Sequence, residues 1–308
     1  MSYISIRVST LRGEQKIDFN AYVKINDKMV LYLRRGDSFE GDRLQRLKAK
    51  KLRKMFIENS EESQYLDYLR RNIDSAYDSG STVSMQSRAE VIQGDQQNNI
   101  EEVFENIESE KSYNNAKESA SKYVDFILTN DKAFSAVMNI ENSDKNIAHH
   151  GVTVATLAIS LAQKLGITDP KKIQLLTLGS LLHDYGHHLE PIDLNHTVAT
   201  MPPADQVMWK RHSKLGAESI RDKRHFDQLV STIILQHEET SGGTGPLGLL
   251  EKDVDPIAMI VACANVIDRM ITFENVPKKD VAKRLMLEKV GSYPLHHIQL
   301  LGEILKGM

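Results

Sequence analysis

Apolar and polar positions change rhythm along this chain, and each change marks a different kind of element. Three stretches in the first 35 residues, IRVSTL, IDFNAYVKI and MVLYLRR, are rich in β-branched and aromatic residues with partial alternation, which predicts strands. RGEQ, NDK and RRGDS supply turn formers around them. Asp42 to Phe56 reads as a basic helix whose apolar positions are Leu44, Leu47, Leu52 and Met55. Residues 1–60 are therefore expected to form a small α+β domain.

Residues 61–131 are polar and mostly helical in spacing. SEESQYLDYLRRNIDSAY is a fair amphipathic helix, whereas STVSMQSRAEVIQGDQQNN carries more turn formers, so breaks are expected near Gly80 and Gly94. IEEVFENIESEKSYNNAKESASKYVDFILTN resumes a helical period. A coiled-coil-like dimer stalk and a solvated connector fit this segment equally well.

Residues 132–308 read as an all-helical domain. HHGVTVATLAISLAQKLG places Val154, Leu157, Ala158, Leu161 and Leu165 on one face. Asp169-Pro170 opens the almost wholly apolar IQLLTLGSLLHDYG, and Asp255-Pro256 opens IAMIVACANVIDRMI, with each Pro where its missing N–H does no harm. DQVMWKRHSKLGAESI, FDQLVSTIILQHEE, KKDVAKRLMLEKV and HHIQLLGEIL supply further helices, and the loop SGGTGPLG follows the second of these. The fold class is mainly α, a helical bundle preceded by a small α+β domain.

Composition adds limits. A chain of 308 residues, 41% hydrophobic and 26% charged, has room for about two domains with adequate cores. A single cysteine, Cys263, excludes an intramolecular disulfide and favours a reducing compartment. No apolar run reaches transmembrane length and MSYISIRVST is not a signal peptide, so a cytoplasmic protein without membrane contact is expected. A formal net charge of -3 argues against a nucleic-acid polymer as partner but leaves room for a small phosphate ligand.

The histidines are concentrated. Nine of eleven fall between His149 and His237, where an even spread would put about three. His183-Asp184 ends a buried helix, where a carboxylate is costly unless paired or coordinated. Taken alone, the pair reads more plainly as a helix-end Asp beside a core histidine. His150, His212 and His237 lie at or near other helix ends or on helices able to face the same interior. Four imidazoles and a carboxylate in a bundle core form a plausible metal shell, suited to iron, manganese or zinc.

His150-Gly-Val-Thr-Val-Ala, His183-Asp184-Tyr-Gly, His212 followed by Leu215-Gly216-Ala217, and His237-Glu238-Glu239 followed by a Gly-rich loop and Pro246 occur in a fixed order. In that order and spacing, residues 132–308 resemble the HD-GYP family of HD-domain metal phosphohydrolases. LYLRRG and the QYLDYL helix resemble an accessory domain found before such domains. The resemblance implies a helical bundle with at least two divalent metal ions, most often iron or manganese, ligated by His150, His183, Asp184, His212 and His237, with Asp184 bridging. It implies hydrolysis of cyclic di-GMP, a bacterial second messenger, by a hydroxide bridging two metals.

Several family positions are altered. His187 stands where the family's HDxGK has lysine, and would be a substrate-binding or proton-transfer group. QHEETSGGTGP replaces HHE…GxGYP, leaving two registers: Gln236 in place of the first histidine, or Glu238 in place of the second. The second register keeps Glu239, Gly243, Gly245 and Pro246 in place, and the signature tyrosine is missing in both. Asn265 takes the place of the last aspartate ligand, and Asp268, one turn on, is an alternative. The family's RPY segment has no clear match in ITFENVPKK.

Lys214 and Arg211, flanking His212, could meet substrate phosphates, although a solvated helix face is the simpler reading of each. His149 is expected to be a neighbour of the ligands, His196 and His225 surface residues, and His296-His297 part of a solvated helix. The KAKKLRK run at Lys48 to Lys54 is read as a charged outer face. Neither a phosphate-binding glycine loop nor a Ser or Cys nucleophile arrangement is evident. Three readings follow: a cyclic di-GMP phosphodiesterase, a weakly active or inactive metal-containing receptor or protein-docking module, and a metal-free structural domain. A signalling partner and a homodimer go with the first two.

Overall fold

The alternation in the first 35 residues folds into three strands, β1 (Tyr3–Arg7), β2 (Ala21–Ile25) and β3 (Lys28–Leu33). Asn26 and Asp27 both take positive φ, 46° and 61°, as a tight two-residue hairpin between β2 and β3 requires. The predicted helix over Asp42–Phe56 divides instead into α1 (Asp42–Ala49) and a fourth strand, β4 (Lys54–Glu58). Met55 and Ile57 are buried while Lys54 is exposed, so the apolar spacing there is the period of two of a strand. The sheet is antiparallel in the order β1-β4-β2-β3. Leu11, Ile17, Phe19, Leu33 and Phe39 fill the core behind it. Phe19 meets Tyr65 and Tyr68 of α2 (Glu62–Tyr77) edge-on at 5.5 and 5.6 Å.

The computed structural model describes residues 2–12, 15–40, 42–50, 52, 54–140, 142, 145–194 and 197–307. His196, Gly13 and Glu14 of the RGEQ turn, and Lys51 and Arg53 of the basic run lie outside them. The chain divides into two compact units, Met1–Asn98 and Asn99–Met308. The expected break at Gly80 separates α2 from α3 (Met85–Glu105), but α3 runs on through Gly94. One glycine costs a helix only about 1 kcal/mol, and burial of Val91, Ile92 and Gln96 around it outweighs that. A break absent from the sequence reading falls at residues 106–109, where Ser109 caps α4 (Glu110–Thr129) by accepting from Ser112 N–H. α4 does not stand free: it buries Tyr113, Ala116, Ala120, Tyr123 and Ile127 and packs on the second unit's central helices.

Those helices are α5 (Ala133–Met138), α6 (Ile147–Lys164), α7 (Pro170–Leu182), α8 (Tyr185–Leu189), α9 (Pro203–Ile220), α10 (Gln228–Gln236), α11 (Pro256–Thr272), α12 (Lys278–Glu288) and α13 (Leu295–Lys306). Asn146, Asp169 and Asp255 accept from backbone N–H groups at the starts of α6, α7 and α11, and Pro follows both aspartates. α6 is buried all round, beyond the single face expected: Val152, Ala155, Ile159 and Ala162 are as enclosed as Val154, Leu157, Ala158 and Leu161. It lies between α7 and α11, with α10 against α7 and α9 against α10. No described helix is long and apolar enough to cross a membrane.

Candidate metal centre

Two close helix contacts bring the histidines together. A Cβ on Gly151 would lie 2.7 Å from the Leu181 carbonyl oxygen, and one on Gly186 would lie 2.0 Å from that of His212. Glycine at these positions lets α6 approach α7, and α8 approach α9, at backbone contact. The neighbours of these glycines, His150 and Asp184, are thereby carried into the same interior as His183 and His212.

His150, His183, Asp184, His212 and His237 are each 3% exposed or less. Asp184 Oδ1 lies 3.5 Å from His183 Nε2, 3.4 Å from His212 Nε2 and 3.6 Å from His237 Nε2. Its Oδ2 faces His150 Nε2 at 3.7 Å. In each ring the other nitrogen is already engaged. His183 Nδ1 donates to Ser180 O at 2.7 Å, His212 Nδ1 to Trp209 O at 2.5 Å and His237 Nδ1 to Ile234 O at 2.9 Å. His183 and His237 close α7 and α10, where the last carbonyls lack helical partners. His150 Nδ1 donates to Asp268 Oδ2 at 2.5 Å. This leaves the Nε2 lone pairs directed inward, the tautomer a metal needs.

The inward atoms are electron-rich and lack donors. His212 Nε2 and His237 Nε2 are 2.9 Å apart with both Nδ1 atoms serving as donors. Asn265 Nδ2 donates to Glu238 Oε1 at 3.0 Å, which turns its Oδ1 toward His150 Nε2, also at 3.0 Å. His183 Nε2, Asp184 Oδ2 and both His187 ring nitrogens are buried without a hydrogen-bond partner. The facing lone pairs, the orphaned His183 and Asp184 acceptors and the one acceptor nitrogen of the neutral His187 ring call for a cation between them. The donor set of imidazole nitrogen and carboxylate oxygen fits a divalent metal. Among the described residues, three groupings have ligand atoms within 4.8 Å of one another: His150-His183-Asp184, Asp184-His187-His212 and His212-His237-Glu238.

Electrostatics agree with this arrangement. Burial opposes the Asp184 charge, but the imidazoles around it, His183 and His187 first and then His212 and His237, hold its carboxyl well below the usual range. Burial pushes His183 down to about 3. Burial also works against protonation of His150 and His212, yet Asp268 raises the first and Asp184 the second.

The remaining candidates are placed unequally. Asn265 sits on the inner side of His150, whereas Asp268 sits behind that ring and fixes its orientation. Glu238 Oε1 is 3.9 Å from His237 Nε2. His187 stacks on His212 with ring centres 3.9 Å apart, and burial, then His212, holds it well below the ordinary imidazole value. As a neutral ring it does not supply a lysine's point charge. Arg211 and Lys214 lie on the exposed side of α9, where Arg211 is gripped by Glu190 and Lys214 Nζ is 3.9 Å from Glu218. Neither reaches the cluster in any described contact.

Among the others, His149 is buried. His225 is half-buried against Tyr113, and His297 Nδ1 lies 3.8 Å from Cys263 Sγ, so neither is a free surface residue. Two roles had no signal in the sequence. Glu239 is fully buried and accepts from Leu247 N and Leu249 N at 2.7 and 2.8 Å, pinning the Gly/Pro-rich loop. Leu194, Met201 and Phe273, with Ile147, Ile192 and Trp209 packed on them, form an apolar cover next to the histidines.

A profile described as the HD domain matches residues 147–270. Over 154 residues the chain is 30% identical to cyclic di-GMP phosphodiesterase PA4108 of Pseudomonas aeruginosa, covering 50% of this chain and 37% of that protein. Over 161 residues it is 26% identical to a cyclic di-GMP phosphodiesterase of Thermotoga maritima, covering 51% and 42%. The chain thus matches less than half the length of these curated relatives. A solved structure, Bd1817, described as a HDG"Y"P protein from Bdellovibrio bacteriovorus, superposes with a TM-score of 0.95 at 64% identity, covering 99% of this chain and 100% of that one. Likeness along the whole length of Bd1817, together with an HD-domain match that spans His150, His183, Asp184, His212 and His237, means that this chain belongs to the HD-GYP family.

Proposed function

We propose that this chain is a metal-dependent phosphodiesterase of the HD-GYP type acting on cyclic di-GMP. One observation carries the reading: the two oxygens of Asp184 face different sets of imidazole nitrogens, Oδ2 toward His150 and Oδ1 toward His183, His212 and His237. That geometry suits a carboxylate shared by two divalent ions. His150 would stand on one side, with Asn265 nearby, and His212 and His237 on the other, with Glu238 nearby; His183, which faces Oδ1 but also has its ligand atom within 4.8 Å of that of His150, would complete the first. The mixed nitrogen and oxygen set suits iron or manganese, and also zinc. Such ions, when bound, lower the pKa of a water ligand and neutralise phosphate oxygens. The chain itself aims the donors, through the Ser180, Trp209 and Ile234 carbonyls and Asp268, and keeps solvent out with the apolar cover over the histidines. The naming of two relatives as cyclic di-GMP phosphodiesterases supports the choice of substrate. A cytoplasmic setting and a homodimer belong to the same proposal.

The test is metal analysis of the purified chain, followed by assay of iron- and manganese-loaded protein with cyclic di-GMP. Stoichiometric metal that is lost in His183→Ala and Asp184→Ala, together with linear dinucleotide product, is expected. Full metal loading without turnover, beside an active family control, would refute the enzymatic reading.

A second reading rests on His187. Its buried, neutral ring occupies the family's lysine position, which favours a receptor that binds the dinucleotide and hydrolyses it slowly or not at all. Tight binding with negligible turnover would select this reading.

A further inference from the structure

Arg269 follows Asp268 on α11 and is only 9% exposed. Its guanidinium carbon lies 5.3 Å from the centre of the Trp209 ring and 5.9 Å from that of Phe273. Each of these rings leans on a histidine of the cluster: Trp209 on His212 at 6.0 Å, and Phe273 on His150 at 5.4 Å. The cation is therefore held at the edge of the centre.

Among the described residues the guanidinium has no carboxylate or carbonyl partner. The aromatic faces accept part of its charge, but they cannot satisfy five N–H donors. Trp209 Nε1–H, in the same corner, is buried and also lacks an acceptor. A buried, unpartnered indole N–H and, beside it, a planar guanidinium with no carboxylate or carbonyl on its fork define a place for an oxyanion. The competing cations are already occupied, since Arg211 is taken by Glu190 and Lys214 is close to Glu218.

We propose that Arg269 is the phosphate-binding residue of this site, its guanidinium fork taking two oxygens of the substrate phosphodiester beside the Trp209 N–H. The planar fork matches a phosphate in a way that a point charge does not. Only the identity of the phosphodiester rests on the function proposed above; the anion site itself does not.

The experiment uses the full, metal-loaded chain and measures binding of inorganic phosphate and of cyclic di-GMP by calorimetry. Wild type, Arg269→Gln and Arg269→Lys are compared, each with its metal content determined. Metal stoichiometry is expected to be unchanged, with affinity for both probes falling roughly 10- to 100-fold in the Gln variant. The Lys variant, which keeps the charge against the rings and so guards against misfolding, is expected to fall in between. Phosphate affinity within about twofold of wild type in either metal-loaded variant overturns the assignment. Loss of metal from both variants also overturns it, because Arg269 would then be a packing residue. Wild type that binds inorganic phosphate but neither binds nor cleaves cyclic di-GMP refutes the substrate reading alone.

Discussion

Asp268 holds His150 from behind, with its Oδ2 2.5 Å from the ring's Nδ1 and on the opposite side of the imidazole from Asn265 Oδ1. Removing this carboxylate frees the ring to change tautomer and leaves a buried N–H without an acceptor. Asp268→Ala is expected to lower metal affinity by about 10- to 100-fold and to destabilise the metal-free fold by about 1–3 kcal/mol. Competition against a chelator measures the first effect and urea unfolding the second. Wild-type metal affinity in the folded variant would show that Asp268 does not set the ring.

Asn265 presents an amide oxygen to the cluster and an amide N–H to Glu238. Asn265→Asp converts the oxygen into a charged ligand but sets two carboxylates against each other at the Glu238 contact. The variant should melt lower than wild type without metal and show a larger rise in Tm on adding manganese, by mass action on the native state. Thermal melts with and without the ion check this. An equal metal-induced rise in both proteins would remove Asn265 from the inner face.

Glu239 anchors the loop that follows α10. Glu239→Gln keeps the volume but puts an NH2 group against one of the two backbone N–H groups it now receives. A loss of about 1–3 kcal/mol is expected, since a buried donor is left unpaired, together with faster proteolytic cleavage within residues 240–250. Limited proteolysis followed by mass spectrometry locates the cuts. A cleavage pattern identical to that of wild type would sink the idea.

Much of the bundle was legible because its signals are local. Asp-Pro pairs mark the starts of α7 and α11, and apolar periodicity marks their interiors. The metal centre was legible as residue types in order, although their convergence depends on non-local packing that no spacing encodes. Asp268 shows the limit: one helical turn from Asn265, it looks interchangeable with it, and only the rotation of α11 against α6 assigns the two to opposite nitrogens of His150. The strand at Lys54–Glu58 was misread because Met55 stands three residues after Leu52, a spacing that also continues the helical period of Leu44 and Leu47. The role of Glu239 was hidden because its partners are backbone groups, which are alike in every sequence.

Asp227 joins α4 to the start of α10, its Oδ2 accepting from Tyr113 Oη at 3.0 Å and from Lys117 Nζ. Burial opposes its charge, but these partners and Lys171 hold the carboxyl below its ordinary value. With the folded value depressed, the stabilisation is complete above the unfolded value of about 3.9 and is lost as pH falls through the lower folded value. Asp227→Asn is expected to cost about 1–2 kcal/mol at neutral pH, toward the low end for a charge-assisted bond because the pair is partly solvated. As pH falls below the unfolded value and on through the lower folded one, that gap should narrow, as wild type loses the same charge. Urea midpoints of the two proteins across this range decide the matter, since a gap that stays constant from neutral to acid pH would mean that Asp227 acts through its shape and not through its charge.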